Sequence, residues 1–237
     1  DAQRIFEPDF IKQLKTFYMC GNLGDPIMAK DTLATFEWIR SINPNVWLSM
    51  NTNAGAQDDY WWYRLAQTFG RKGTVIFSVD GLSDTNHLYR QNVRWEKVEK
   101  SMEAFIEGGG RARWDYLIFE HNEHQVEEAK KLAEQKGFER FQAKSTARFV
   151  TTKLDKKDEH QAKNRKEKET QKLTKPKEEK NQNKATKKID TLIEKHGSMD
   201  NYLDKCNIIC KVAKEGNIYI SAEGLLMPCC WTASRMY

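Results

Sequence analysis

The chain has 237 residues, 39% hydrophobic and 31% charged, with a formal net charge of +5 at pH 7. That suits one folded domain or one and a half; no apolar run reaches the roughly 18 residues of a membrane span, and no basic-then-apolar leader opens the chain, so a cytoplasmic protein is expected. Residues 153–190 carry 14 Lys/Arg against 8 Asp/Glu, a net of +6 that leaves the remainder at −1, which argues against a nucleic-acid-binding folded part.

Residues 8–15 read as the end of a helix, and Phe17–Met19 as a buried strand. A glycine-rich loop follows, Gly21-Asn22-Leu23-Gly24-Asp25-Pro26. A glycine loop after a strand suits close approach to a ligand. Asp25 would repel a phosphate, so the loop fits a cationic group such as an amino acid's amine. Asp31 is an expected N-cap for a helix with Leu33, Phe36, Ile39 and Ile42 on one face. Asn43-Pro44-Asn45 ends that helix, and Val46–Met50 is the next strand. Asp58 caps a helix with Trp61, Leu65 and Phe69 inward, and Thr74–Ser78 is a β-branched and aromatic strand.

A further helix carries Trp95, Val98, Met102 and Phe105 and stops at Gly108-Gly109-Gly110. Trp114–Phe119 is a strand. Asn122 with Gln125 has the spacing of a capping box, the helix ends at Gly137, and Phe138–Phe141 is the last strand of the series. His121 and His124 read as surface residues near a strand end, with a cavity lining as the alternative. This alternation means parallel strands joined by right-handed crossovers. It leaves a partial barrel and a doubly wound sheet both open.

Residues 150–200 are poor in apolar side chains between Leu154 and Ile189. They are expected to form a solvated linker, partly helical at most, with a short helix around Ile189, Leu192 and Ile193. Four of the five cysteines lie in the last 32 residues. Ile218–Ser221 and Leu225–Met227 read as a hairpin about a Glu223-Gly224 turn. That hairpin would bring Cys210 and Cys229 together, with Cys206 and Cys230 as further ligands. Cys206 and Cys210, at helical spacing, would share a face. Thiolates so spaced suit an iron–sulfur cluster or tetrahedral zinc. Cys20 ends a strand and reads as a core thiol.

Three stretches in this order resemble the radical S-adenosylmethionine (SAM) superfamily, in its branch with a C-terminal SPASM or twitch auxiliary-cluster domain. They are residues 17–26, like its Gly-Gly-Glu-Pro motif; 77–82 with His87-Leu88-Tyr89-Arg90; and Cys210 to Cys230, where thirteen residues precede Gly224 and four follow it. The resemblance implies an α/β chain: a partial (β/α)6 barrel over 1–149 lacking its first strand, a charged linker over 150–200, and the start of a cysteine-rich hairpin domain over 201–237. It implies that backbone at Gly21, Asn22, Leu23, Gly24 and Asp25 faces the SAM amine. Ser78 and Arg90 match carboxylate-binding positions, Arg90 through its planar fork. Asn53 is a candidate for ribose or substrate, and Asp80 a further ligand candidate beside a plain Asp-Gly turn.

The implied activity is reductive cleavage of SAM by a [4Fe–4S] cluster, giving a 5′-deoxyadenosyl radical that abstracts hydrogen from a substrate. The expected substrate is a peptide or protein, the electron donor a flavodoxin or ferredoxin, and the C-terminal cysteines would hold an auxiliary iron–sulfur cluster. The family's Cys-x3-Cys-x2-Cys loop is not in residues 1–237. The chain is therefore expected to be cut at both ends and inactive alone. The alternatives are a non-catalytic metal-binding module with 150–200 as a tether for nucleic acid or protein, and a nucleotide-binding α/β protein with structural zinc.

Overall fold

A computed structural model describes residues 2–21, 24–151, 158–163, 169–207, 209–221 and 223–233. Two short helices, α1 (Ala2–Ile5) and α2 (Pro8–Gln13), lead into β1 (Thr16–Met19). There follow α3 (Thr32–Ile42), β2 (Trp47–Thr52), α4 (Asp59–Phe69), β3 (Gly73–Ser78), α5 (Asn86–Tyr89), α6 (Trp95–Glu107), β4 (Ala112–Ile118), α7 (Val126–Gln135) and β5 (Arg140–Ser145).

The strands form one parallel sheet in the order β1-β2-β3-β4-β5. A doubly wound sheet reverses its order at a switch point. Here each strand adds on the same side of the last, as in a partial barrel. The two faces differ accordingly. Phe17, Met50, Phe77 and Trp114 lie on the helix-covered face and enter the core. Their strand neighbours Tyr18, Asn51, Ser78 and Asp115 lie on the opposite, concave face, because side chains alternate along a strand.

The core is aromatic. Trp62, Phe69, Phe77, Phe105 and Trp114 are all buried. In α4 the stripe is Trp62, Leu65, Ala66 and Phe69, an i, i+3, i+4, i+7 set, while the expected Trp61 stays partly buried. The Asp58 carboxylate caps α4, accepting the Trp61 N–H at 2.8 Å. Asp31 occupies the N-cap position of α3 but makes no side-chain cap. Phe138 belongs to the helix exit and not to the last strand: its N–H returns to Ala133 O at 3.0 Å, and pairing begins at Arg140.

The segment 150–200 differs from the solvated linker expected. β6 (Glu159–Lys163) and β7 (Glu169–Thr174) form an antiparallel hairpin. Leu173 is fully buried with Phe119 and Phe149, and the Glu120 N–H donates to Thr174 O at 3.1 Å. One buried leucine contributes about 1.5–3 kcal/mol, and that side chain anchors a strand otherwise polar. After α8 (Ala185–His196) come α9 (Met199–Leu203), α10 (Lys211–Glu215), the short antiparallel pair β8 (Tyr219–Ile220) and β9 (Leu226–Met227), and α11 (Cys230–Ala233). No helix among the described residues is long and apolar enough to cross a membrane.

Candidate functional site

The loops at the C-terminal ends of β1, β2 and β3 form one rim, which gathers the described residues of the predicted cofactor set. Asn22 and Leu23 lie outside the described residues. Gly21 turns the chain with φ of +69°, and a Cβ there would lie 3.1 Å from Gly24 O. The turn therefore needs glycine at this point.

Asp25 ties this loop to the next strand. Its Oδ2 accepts the Asn53 N–H at 2.6 Å, and its Oδ1 accepts the Ile27 N–H at 3.2 Å. Burial raises its pKa, and the two N–H donors oppose the rise. Asn53 is committed locally, its Oδ1 accepting the Gly55 N–H at 2.9 Å. Ser78 ends β3, half-buried on the concave face.

Asp80 and Arg90 form a tight pair beside it. Asp80 is fully buried, and its Oδ2 accepts Arg90 Nε at 2.6 Å and lies 2.6 Å from Nη2. Its Oδ1 accepts the Leu117 N–H at 2.5 Å. Burial works against the Arg90 charge, but Asp80 more than compensates and the guanidinium pKa is raised. The Arg90 fork, expected to meet a ligand carboxylate, is thus directed at an internal one. Its guanidinium also lies over the Tyr89 ring at 4.9 Å.

The predicted Asn122–Gln125 capping box does not form. Neither side chain caps a helix. Asn122 Nδ2 donates to Asp80 O at 2.9 Å and Leu117 O at 3.0 Å, and its Oδ1 accepts the Phe119 N–H at 2.7 Å. Gln125 Oε1 accepts from Leu82 N and Thr85 Oγ1. Both amides hold the β3 loop to the β4 end, where burial makes such bonds worth more than an exposed cap.

Several site residues were missed at the level of sequence. Asn51 lies on the concave face of β2, and its Oδ1 is buried without a hydrogen-bond partner among the described residues. Arg113 and Asp115 in β4 and Lys144 in β5 form a charged cluster on the same face. The alternation in Trp-Leu-Ser-Met-Asn-Thr and Arg-Trp-Asp was the available signal. His121 was read as a surface residue, but it stacks on Phe119 at 5.4 Å with its Nε2 buried and unpartnered among the described residues. Burial lowers its pKa.

No protein-family model and no curated protein matches the sequence. Solved structures do match. SuiB of Streptococcus suis superposes with a TM-score of 0.55 at 14% identity, over 91% of this chain and 50% of SuiB. SuiB bound to S-adenosylmethionine gives 0.53 at 14% identity, over 91% of this chain and 48% of that one. The chain has the fold of SuiB. It spans about half of SuiB's length, and at this identity the likeness is one of fold.

A SAM molecule on the concave rim would meet Asn51 Oδ1, a buried acceptor that no donor of the described residues reaches. A buried acceptor without a donor costs about 1–3 kcal/mol, and Asn51 Oδ1 would recover it from a ligand N–H or O–H. The residues present fit SAM in that respect. They do not fit the [4Fe–4S] cluster: residues 1–205 contain one cysteine, Cys20. The C-terminal cysteines are not gathered into a set of three among the described residues. Cys206 and Cys210 do not share a helix face, because α9 ends at Leu203 and Cys210 is the extended N-cap of α10. Cys210 is exposed; Cys229 and Cys230 are half-buried.

Proposed function

We propose that the chain is the barrel portion of a radical SAM enzyme, with SAM on the β1–β3 rim and the substrate in the concave face below β4 and β5. Asn51 Oδ1, a buried lumen-side acceptor awaiting a donor, carries the reading. The Gly21–Pro26 and Ser78–Arg90 motifs support it, as does the SAM bound by SuiB. SAM held on this rim would supply a 5′-deoxyadenosyl group facing the concave side; the electron that would release it as a radical needs an iron–sulfur cluster that the described residues do not hold.

The residues of this chain bind and orient. Carbonyls of the Gly21–Asp25 loop would face the SAM amine, and Asp25 would fix that loop against β2. Ser78 would meet the SAM carboxylate directly, with Arg90, its charge compensated by Asp80, standing beside it. Among the described residues the cysteines assemble no site for either iron–sulfur cluster, so neither carries a step. Isothermal titration of SAM into the 237-residue chain tests the reading. Binding is expected, weakened about 10-fold or more in Asn51→Leu, the effect of one buried hydrogen bond. No binding by a chain whose circular dichroism is that of a folded α/β protein would overturn it.

A further inference from the structure

The concave face holds one charged group to which SAM binding gives no task. Arg113 and Asp115 are two apart in β4 and share that face, and β5 brings Lys144 to it. Asp115 accepts Arg113 Nε at 2.6 Å on Oδ1 and Nη2 at 2.7 Å on Oδ2, and Lys144 Nζ also reaches Oδ2. Two cations therefore share one carboxylate, and one positive charge is left over.

The wall is half-covered: the Arg113, Asp115 and Lys144 side chains are 27%, 14% and 34% exposed. Charges so placed are screened less than on an open surface. The arginine fork is filled by Asp115. A lysine ammonium has three donors, and only one is directed at Asp115, so Lys144 can take a second carboxylate. Tyr18 on β1 shares the concave face and is exposed there, a neutral hydroxyl at pH 7.

The cluster stands level with the SAM rim. Ser78 is in register with Asp115, and Leu117 with Lys144. It lies on β4 and β5, the strands that follow β3 in the sheet.

We propose that Lys144, oriented with Arg113 by Asp115, is a carboxylate subsite for an acidic side chain of the substrate, which makes the substrate an acidic peptide. The proposal rests on the reading of the concave face as a substrate chamber. The SAM methionyl group is a second source of a carboxylate, since Ser78 is the register neighbour of Asp115, and the binding experiment has to distinguish the two.

Calorimetry on the full chain separates these, with three probes: N-acetylglutamate methylamide, N-acetylglutamine methylamide and SAM. The glutamate probe is expected to bind about 10-fold or more tightly than the glutamine probe, the worth of one charge-assisted bond, with the margin shrinking in salt. The margin should vanish in Lys144→Gln, which keeps the Arg113–Asp115 pair, and return in Lys144→Arg, while SAM affinity holds. Equal binding of the two peptide probes overturns the subsite, as does a margin that survives Lys144→Gln. Lost SAM affinity in Lys144→Gln without a glutamate preference would give the cluster to SAM and overturn it too. Glutamate preference in a chain that binds no SAM would sink the cofactor reading alone and leave the subsite standing.

Discussion

Replacing Asp80 by alanine should be among the most costly single changes in the barrel. The carboxylate is fully buried and holds three donors: Arg90 Nε at 2.6 Å, Arg90 Nη2 at 2.6 Å and the Leu117 N–H at 2.5 Å. Breaking a buried pair by removing one partner costs about 3–5 kcal/mol. Arg90 keeps 23% of its side chain in water, which favours the lower end of that range. The stranded Leu117 N–H adds about 1–3 kcal/mol. The expected loss is therefore about 4 kcal/mol, a large part of the ~5–15 kcal/mol that holds a domain folded. Much of it is the penalty of an unpaired charge, so Asp80→Ala/Arg90→Met should lose less than the two single variants added, by about 2 kcal/mol. Urea unfolding followed by tryptophan fluorescence measures all three. Additive losses, or an Asp80→Ala loss below about 1 kcal/mol, would refute the pairing argument.

Gly81→Ala should destabilise by about 1–3 kcal/mol, because φ is +148° and a Cβ would meet Thr85 Oγ1 and come within 2.6 Å of Asn86 N; an unchanged urea midpoint would contradict the loop geometry. Asp25, raised by burial, should titrate above the ordinary ~3.9 of an aspartate. Its folded pKa exceeds the unfolded one, so its contribution to stability is present below ~3.9 and is lost as pH rises through the folded value. Carbon-detected NMR reads the midpoint, and one at or below ~3.9 would refute the burial argument. Leu173→Ala should cost about 2–5 kcal/mol and speed amide exchange in β6 and β7. Exchange already unprotected in the unsubstituted hairpin would mean that Leu173 anchors nothing.

The alternation of strands and helices was legible because each depends on local period. Leu33 through Ile42 repeat at helical spacing, and Thr74–Ser78 is β-branched and aromatic. Sheet order was not legible, since the side on which a crossover places its next strand is fixed by packing among distant elements. The same division runs through the site. The Arg-Trp-Asp alternation of β4 could have placed Arg113 and Asp115 on one face, but only the register with β5 adds Lys144. Leu173 was passed over because a single apolar residue in a charged run carries no period, yet Phe119 and Phe149 supply the rest of its cluster from elsewhere in the chain.

Asn122 and Arg90 show why motif spacing fixes position more firmly than partner. Asn122 and Gln125 have the separation of a capping box, and local bonding would have satisfied one N–H at the surface of a helix end. Buried beneath the β3 loop, the Asn122 amide instead serves Asp80 O, Leu117 O and the Phe119 N–H, backbone groups in a buried or half-buried setting. Leaving those unpaired would cost more than an absent cap, so the long-range arrangement wins. Arg90 likewise stands on the rim where its motif puts it, but the nearest buried carboxylate, Asp80, takes its fork before any ligand arrives. A ligand carboxylate at this rim would then meet an arginine already neutralised, with Ser78 and the loop N–H groups left to supply direct donors. The surplus positive charge of the concave face lies instead at Lys144, which shares Asp115 with Arg113, so a carboxylate arriving at this face would find an uncompensated cation on β5 and not at Arg90.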